Sequence, residues 1–161
     1  MTDLDALYRK HAPDVFRFAL YLSGERSEAE DITSETFVRV WTSDQPIEML
    51  TVRSYLFTIA RNLFLQGMRK RSRDVTLDET LHEPIRESRP SPLDEIERQG
   101  EVRAVLRKLQ RLPEVDRAAV VMRAQHGMPY EEIARALDIS VSAAKVKVHR
   151  ARLRLADIGR G

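Results

Sequence analysis

The stretch YEEIARALDISVSAAKVKVHRARLRL, residues 130–155, decides how this chain is read. Ile133, Ala134 and Leu137 give one helix an inner face, Asp138-Ile139-Ser140 makes a short turn, and the Ser140 hydroxyl can cap the helix that follows. Val141, Ala144, Val148, Ala151 and Leu155 then recur at spacings of three and four, so the second helix packs along one stripe and leaves its other side free. On that free side and its flanks lie Ser142, Ala143, Val146, Lys147, His149, Arg150 and Arg154, with Lys145 and Arg152 nearer the stripe. From Ser140 to Arg154 there are five Lys or Arg and no acid, whereas a merely solvated helix mixes signs. The pattern predicts a helix-turn-helix whose basic second helix enters a DNA groove. Arg150 and Lys147 point outward toward base edges or phosphates, while Lys145, Arg152 and Arg154 are placed to neutralise backbone charge. Val146 has no hydrogen bond to offer, and a thymine methyl is its natural partner.

Working outward, Ser91-Pro92-Leu93-Asp94-Glu95 reads as a helix start, with a hydroxyl cap, a proline and acids near the positive end of the dipole. Ile96, Val102, Leu106 and Leu109 carry that helix to Leu112; Pro113 opens the next, through Val120 and Val121, and Gly127 closes it. Residues 73–92 lose periodicity, gather acids and contain Pro84, Pro90 and Pro92, as a linker does. Before it, Leu4, Leu7, His11, Val15, Phe18 and Leu22 mark a first helix, with a turn at Ser23-Gly24. Ser27 and Glu30 resemble a capping box for a second helix reaching Trp41, and a third runs from Val52 to Met68 or beyond. Nine of the ten aromatic residues precede residue 65, which marks a separate core. The expectation is an all-α protein of two small helical domains, three helices over 1–72 and four over 93–161, joined by a flexible linker.

The net charge of +2 over 161 residues conceals a segregation. Counting Lys and Arg against Asp and Glu, residues 23–50 carry −5, 51–73 carry +6, 74–101 carry −6 and 102–161 carry +7. Two basic segments separated by an acidic one suggest two sites for a polyanion. The absence of cysteine excludes disulfide and thiolate chemistry. No apolar run approaches the length of a membrane span and the amino terminus lacks a signal pattern, so a cytoplasmic protein without membrane insertion is expected. His11, His82, His126 and His149 are scattered, with no carboxylate spacing typical of a metal site. Neither a metal, a cofactor, a catalytic group nor a small-molecule substrate is expected.

The second basic segment, RSYLFTIARNLFLQGMRKRSR at 53–73, interleaves Arg61, Arg69, Lys70, Arg71 and Arg73 with Tyr55, Phe57 and Phe64. Cations that hold phosphates beside rings that stack on bases suit unpaired nucleic acid. Asn62 and Gln66, one turn apart, can hydrogen-bond base edges. Aromatic residues at this spacing also serve as core, and the basic tail is the stronger signal. In EDITSETFVRVW, residues 30–41, with Glu28 before it, Glu28, Asp31 and Glu35 share one helix face while Ile32, Phe37, Val40 and Trp41 spread over another. An acidic stripe does not bind DNA; it offers itself to another partner or to solvent.

Taken in order, the acidic EDITSETFVRVW helix, the basic SYLFTIARNLFLQGMRKR helix, the Pro-rich linker and the terminal helix-turn-helix resemble an extracytoplasmic function (ECF) sigma factor of the bacterial sigma-70 family. The resemblance covers nearly the whole chain. It implies a region-two domain over 1–72 and a region-four domain over 93–161. It implies that Glu28, Asp31, Glu35, Phe37 and Trp41 lie in the helix that binds the clamp coiled coil of core RNA polymerase. Asn62 and Gln66, with Tyr55, Arg61, Arg69, Lys70, Arg71 and the loop Gln45 to Leu50, would then read and hold the melted downstream promoter element. Ser142, Lys145, Val146, Lys147, His149, Arg150 and Arg152 would face the upstream element, and the acidic linker would thread the nascent-RNA path. Members of the family are commonly held inactive by an anti-sigma factor. Two departures stand out: Tyr55 where the family often has Trp, and Ala143-Ala144-Lys145-Val146-Lys147 where its recognition helix often reads Thr-Val-Lys-Ser-Arg. The promoter sequence therefore does not transfer.

A free-standing regulator would also use a helix-turn-helix, but it would need a ligand or receiver domain, which the aromatic, charge-split amino-terminal part does not resemble. A nuclease or recombinase would need a metal or nucleophile cluster.

Overall fold

The computed structural model describes residues 4–43, 51–75 and 93–160. Among them are seven α-helices and no strand: α1 (Leu4–Ser23), α2 (Arg26–Thr42), α3 (Val52–Val75), α4 (Leu93–Gln110), α5 (Glu114–Ala124), α6 (Tyr130–Leu137) and α7 (Val141–Arg160). The three-then-four grouping follows the expected order. The linker beyond Val75 and the loop Gln45 to Leu50 lie outside the described residues.

Local chemistry sets most of the boundaries. Gly24 takes φ +79° and its N–H returns to the Leu20 carbonyl at 2.8 Å, which ends α1. The Glu25 N–H then donates to Ser23 Oγ at 3.2 Å, and α2 begins at Arg26. The expected Ser27–Glu30 capping box is therefore corrected: Ser27 already lies inside α2, and Glu30 pairs with Arg26 at 3.2 Å. Thr51 accepts from the Ser54 N–H at 3.1 Å and starts α3, which runs on to Val75. Pro113 fixes the entry to α5, and Gly127 at φ +59° turns the chain out of it. Between α6 and α7, Asp138 adopts the left-handed conformation at φ 56°, and Ser140 Oγ accepts from the Ala143 N–H at 3.0 Å as the sequence predicts.

In the amino-terminal half, Val15, Phe18, Ala19 and Leu22 of α1 close on Ala29, Ile32 and Phe37 of α2 and on Leu56, Phe57, Ala60 and Phe64 of α3. Thr33 and Thr36 are buried there because their hydroxyls donate back to the Ala29 and Ile32 carbonyls at 2.7 Å, leaving no unpaired polar atom. In the carboxy-terminal half, Ala118, Val121 and Met122 of α5 pack with Ile133 of α6 and with Ala144, Val148 and Ala151 of α7. The apolar stripe read from α7 is thus its inner face; Val141, at its outer end, is 38% exposed.

The two halves also pack on each other, which hydrophobic spacing does not reveal. Phe18 and Phe57 stack at 4.5 Å, and the His126 ring meets them edge-on at 6.2 and 4.7 Å from the opposite half. Around this aromatic centre the contacts are polar. Arg61 donates twice to Glu114, at 2.8 and 2.7 Å. Arg53 donates to the His126 carbonyl at 3.0 Å and lies 3.6 Å from Glu132. The buried Arg117 donates to the Leu22 carbonyl at 2.7 Å, and Gln110 to the Tyr21 carbonyl at 3.2 Å.

Candidate nucleic-acid interface

The outer side of α7 is held by α5 and α6 beneath it. Ser142, Lys145, Val146, His149 and Arg152 are exposed, Val146 by 57%. Lys145 Nζ lies 5.8 Å from the centre of the Tyr130 ring, whose other neighbour is the Arg123 guanidinium at 4.5 Å.

Lys147 and Arg150 have a partner that the sequence reading did not include. Both are turned toward Asp116, a carboxylate in the first turn of α5 whose side chain is 1% exposed. Arg150 Nε and Nη2 donate to the two Asp116 oxygens at 2.8 and 2.9 Å, and Lys147 Nζ is 3.9 Å away. Both keep the outward positions on α7 that the spacing gives them, but a buried acid on a neighbouring helix recruits their charged ends, and a helical wheel of α7 alone cannot show it. The hydrogen bond from Arg150 holds the Asp116 carboxyl below the usual carboxylate range, and the same bond raises the Arg150 guanidinium.

Along α3, Asn62, Gln66, Arg69 and Lys70 are exposed. Tyr55 is half-buried against the core, so its ring is only partly presented. Phe57 and Phe64 are core residues, not stacking platforms. Arg61 is taken by Glu114 and only 13% of its side chain is exposed, while Arg71 pairs at 2.7 Å with Glu28 of α2.

The acidic face of α2 divides in the same way. Asp31 and Glu35 are exposed, Glu35 pairing with Arg39 at 3.5 Å, and Trp41 is 47% exposed beside Tyr8 and Val38. Phe37 is fully buried, with Tyr8 edge-on to its ring at 4.9 Å. Its placement on a partner-facing surface is corrected, because its helical phase follows Thr33 and Thr36 inward. Among the described residues, no group of three His, Cys, Asp or Glu could hold a metal ion, and no helix is long and apolar enough to cross a membrane.

Sequence reasoning missed Asp116, Glu114, Arg117, Tyr130 and the interface role of His126. Each acts through a residue distant in the chain. The one local sign was an acid and an arginine, Asp116-Arg117, set directly before the apolar run of α5.

Comparison with known proteins matches residues 7–74 to Sigma-70 region 2 and residues 102–155 to Sigma-70, region 4. The ECF RNA polymerase sigma factor EcfG of Rhodopseudomonas palustris is 35% identical, over 89% of this chain and 77% of that one. The ECF RNA polymerase sigma factor SigE of Mycolicibacterium smegmatis is 35% identical over 98% of this chain, which spans 62% of that relative's length. Among solved structures, the sigma factor RpoE of Bartonella quintana in complex with the anti-sigma factor NepR superposes with a TM-score of 0.79 at 27% identity, covering 99% of this chain and 98% of that one.

Proposed function

We propose, from the premise that this chain belongs to the ECF sigma factors of the sigma-70 family, that it binds core RNA polymerase in the cytoplasm and directs it to particular promoters, catalysing nothing itself. The carrying observation is the run from Ser140 to Arg154, five Lys or Arg and no acid, on the second helix of a helix-turn-helix, in the same chain as a second acid-free basic stretch, residues 53–73 of α3. Upstream duplex is read by α7, through Ser142, Lys145, Val146, His149 and Arg152, with Lys147 and Arg150 in the setting that Asp116 gives them. Melted downstream DNA is read by Asn62 and Gln66 and held by Arg69 and Lys70. Asp31, Glu35 and Trp41 form the face offered to polymerase, with Tyr8 and Val38 extending its apolar part.

Run-off transcription with purified core polymerase tests the reading. Replacing Asp31 and Glu35 together by Lys should abolish holoenzyme assembly with helical circular dichroism retained, and normal assembly by that variant would sink it. Arg150→Ala should weaken upstream duplex binding and spare a single-stranded downstream oligonucleotide, whereas Asn62→Ala should do the reverse.

Control by an anti-sigma factor is a second part of the proposal. Its support is the packed arrangement of the two halves, in which Glu114 occupies Arg61, together with the likeness to the Bartonella RpoE structure, a complex with NepR. That likeness extends over 99% of the chain and so takes in both halves at once. Co-expression with candidate inhibitors and recovery of a stable pair checks it; a host pull-down that yields none counts against it.

A further inference from the structure

Arginine carries two forks of N–H donors, a side fork made by Nε with Nη2 and an end fork made by Nη1 with the remaining Nη2 hydrogen. In this structure Asp116 takes the side fork of Arg150, both oxygens being engaged at 2.8 and 2.9 Å. Among the described residues the end fork has no partner, and the Arg150 side chain remains 45% exposed on the outer flank of α7 while Asp116 is sealed beneath it. We propose that Asp116 is a positioning residue for promoter reading, fixing Arg150 so that its end fork meets the two adjacent acceptors of a guanine edge in the major groove.

Three features of the site carry this. Ungripped, a half-exposed arginine samples many rotamers and loses their entropy on binding; held at both Nε and Nη2, it has only a small part left to lose. The pair is also not readily traded for DNA phosphate, because Arg150 leaving Asp116 would take both charge-assisted hydrogen bonds from a buried carboxylate and leave it the more distant Lys147, at 3.9 Å, and Arg154. Arg150 therefore engages DNA with the pair intact. Finally, two cations around one acid leave the cluster net positive, so the carboxylate orients the arginine without cancelling its attraction for the duplex. A point-charge lysine at 150 could not divide itself between the two tasks.

The inference rests on upstream reading by α7, and its test separates the two. Holoenzyme reconstituted with the full chain is presented with a library of duplexes randomised across the upstream region, and the bound sequences are read. The wild type should enrich guanine at one position; Asp116→Asn should lower that enrichment about tenfold and leave the other positions as they were. Arg150→Ala should lose the same position, and adding Asp116→Asn to it should cost nothing further there. Retained guanine enrichment in Asp116→Asn overturns the positioning role while upstream reading stands. Equal loss at every position, or further loss in the Arg150→Ala background, also overturns it, since that is how a purely structural acid behaves. No enrichment by the wild type overturns upstream reading and the proposal with it. Asp116→Ser, checked for helical circular dichroism, serves if the asparagine variant fails to fold.

Discussion

Acidification from pH 7 to pH 5 should weaken this fold chiefly through the imidazole of His126. His126 is 9% exposed, wedged against Phe57 and Phe18, and its Nε2 has no hydrogen-bond partner among the described residues. Burial, opposed only in part by Asp14 and reinforced by Arg53 and Arg17, lowers its pKa from 6.5 to about 4. The folded protein thus keeps the ring neutral while the unfolded chain takes up a proton below pH 6.5. Stability from this group is complete above that value, falls as pH drops from 6.5 to 4, and changes no further below it. The whole difference corresponds to about 3 kcal/mol, of which about 2 kcal/mol is lost by pH 5. Urea unfolding of the wild type and of His126→Met at pH 7, 6 and 5 measures it, the methionine filling the site without a titrating group. His11, whose pKa burial also lowers, and Asp116 are present in both proteins and drop out of the comparison. Parallel pH profiles for the two proteins would refute the reasoning.

The remaining predictions concern the contacts around that ring and the turn beneath the recognition helix. Arg117→Met should destabilise the fold by about 3–5 kcal/mol in chemical denaturation, because the Leu22, Leu109 and Leu112 carbonyls lose a donor now 2.7, 3.0 and 3.1 Å away; a loss below about 1 kcal/mol would mean that water replaces the guanidinium. A double-mutant cycle on Arg61→Met and Glu114→Gln should give a coupling of about 1–3 kcal/mol, as for sheltered bidentate pairs. The chain has no cysteine, so fluorophores on Glu30→Cys and Glu131→Cys should report wider separation of the halves in each single variant. Asp138→Val should cost about 1–2 kcal/mol, since a β-branched residue resists φ 56°, whereas Asp138→Gly should be near neutral; equal melting temperatures for both would refute the assignment of a left-handed turn.

What could be read in the sequence was what is written locally. Tyr130–Leu137 appears as the spacing predicts, and the Ser140 cap forms, because the proline before α6, the turn after it and the hydroxyl are all within a few residues of the bonds they make. The capping box at Ser27 failed for a related reason: the nearby Ser23-Gly24 pair offers a left-handed stop and a hydroxyl to the Glu25 N–H, and it sets the boundary first. Phe37 lies on the apolar face that the spacing of α2 predicts, with buried Thr33 and Thr36, so the polymerase contact that the resemblance implies for it is not available at the surface. Lys147 and Arg150 were placed outward correctly as positions on a cylinder, but a wheel for α7 contains no Asp116.

The interface between the halves was illegible for a more general reason, and that reason bears on how the protein works. Hydrophobic spacing reports what a segment must bury and is silent about charged groups that find partners far along the chain. Here Arg61, Arg53, Arg117 and Gln110 supply most of the bonds across the halves, and each answers a carboxylate or a carbonyl that water could otherwise serve. Separating the halves would return those cations and acceptors to solvent, where their hydration offsets much of the lost bonding. Apolar contact includes the place where His126 covers Phe18 and Phe57, within one buried cluster that takes in residues of both halves. A seam in which polar bonds share the contact with apolar residues parts more readily than a wholly apolar one of the same extent. Under the proposed function, parting of the halves would free Arg61 from Glu114 and return it to the basic face of α3.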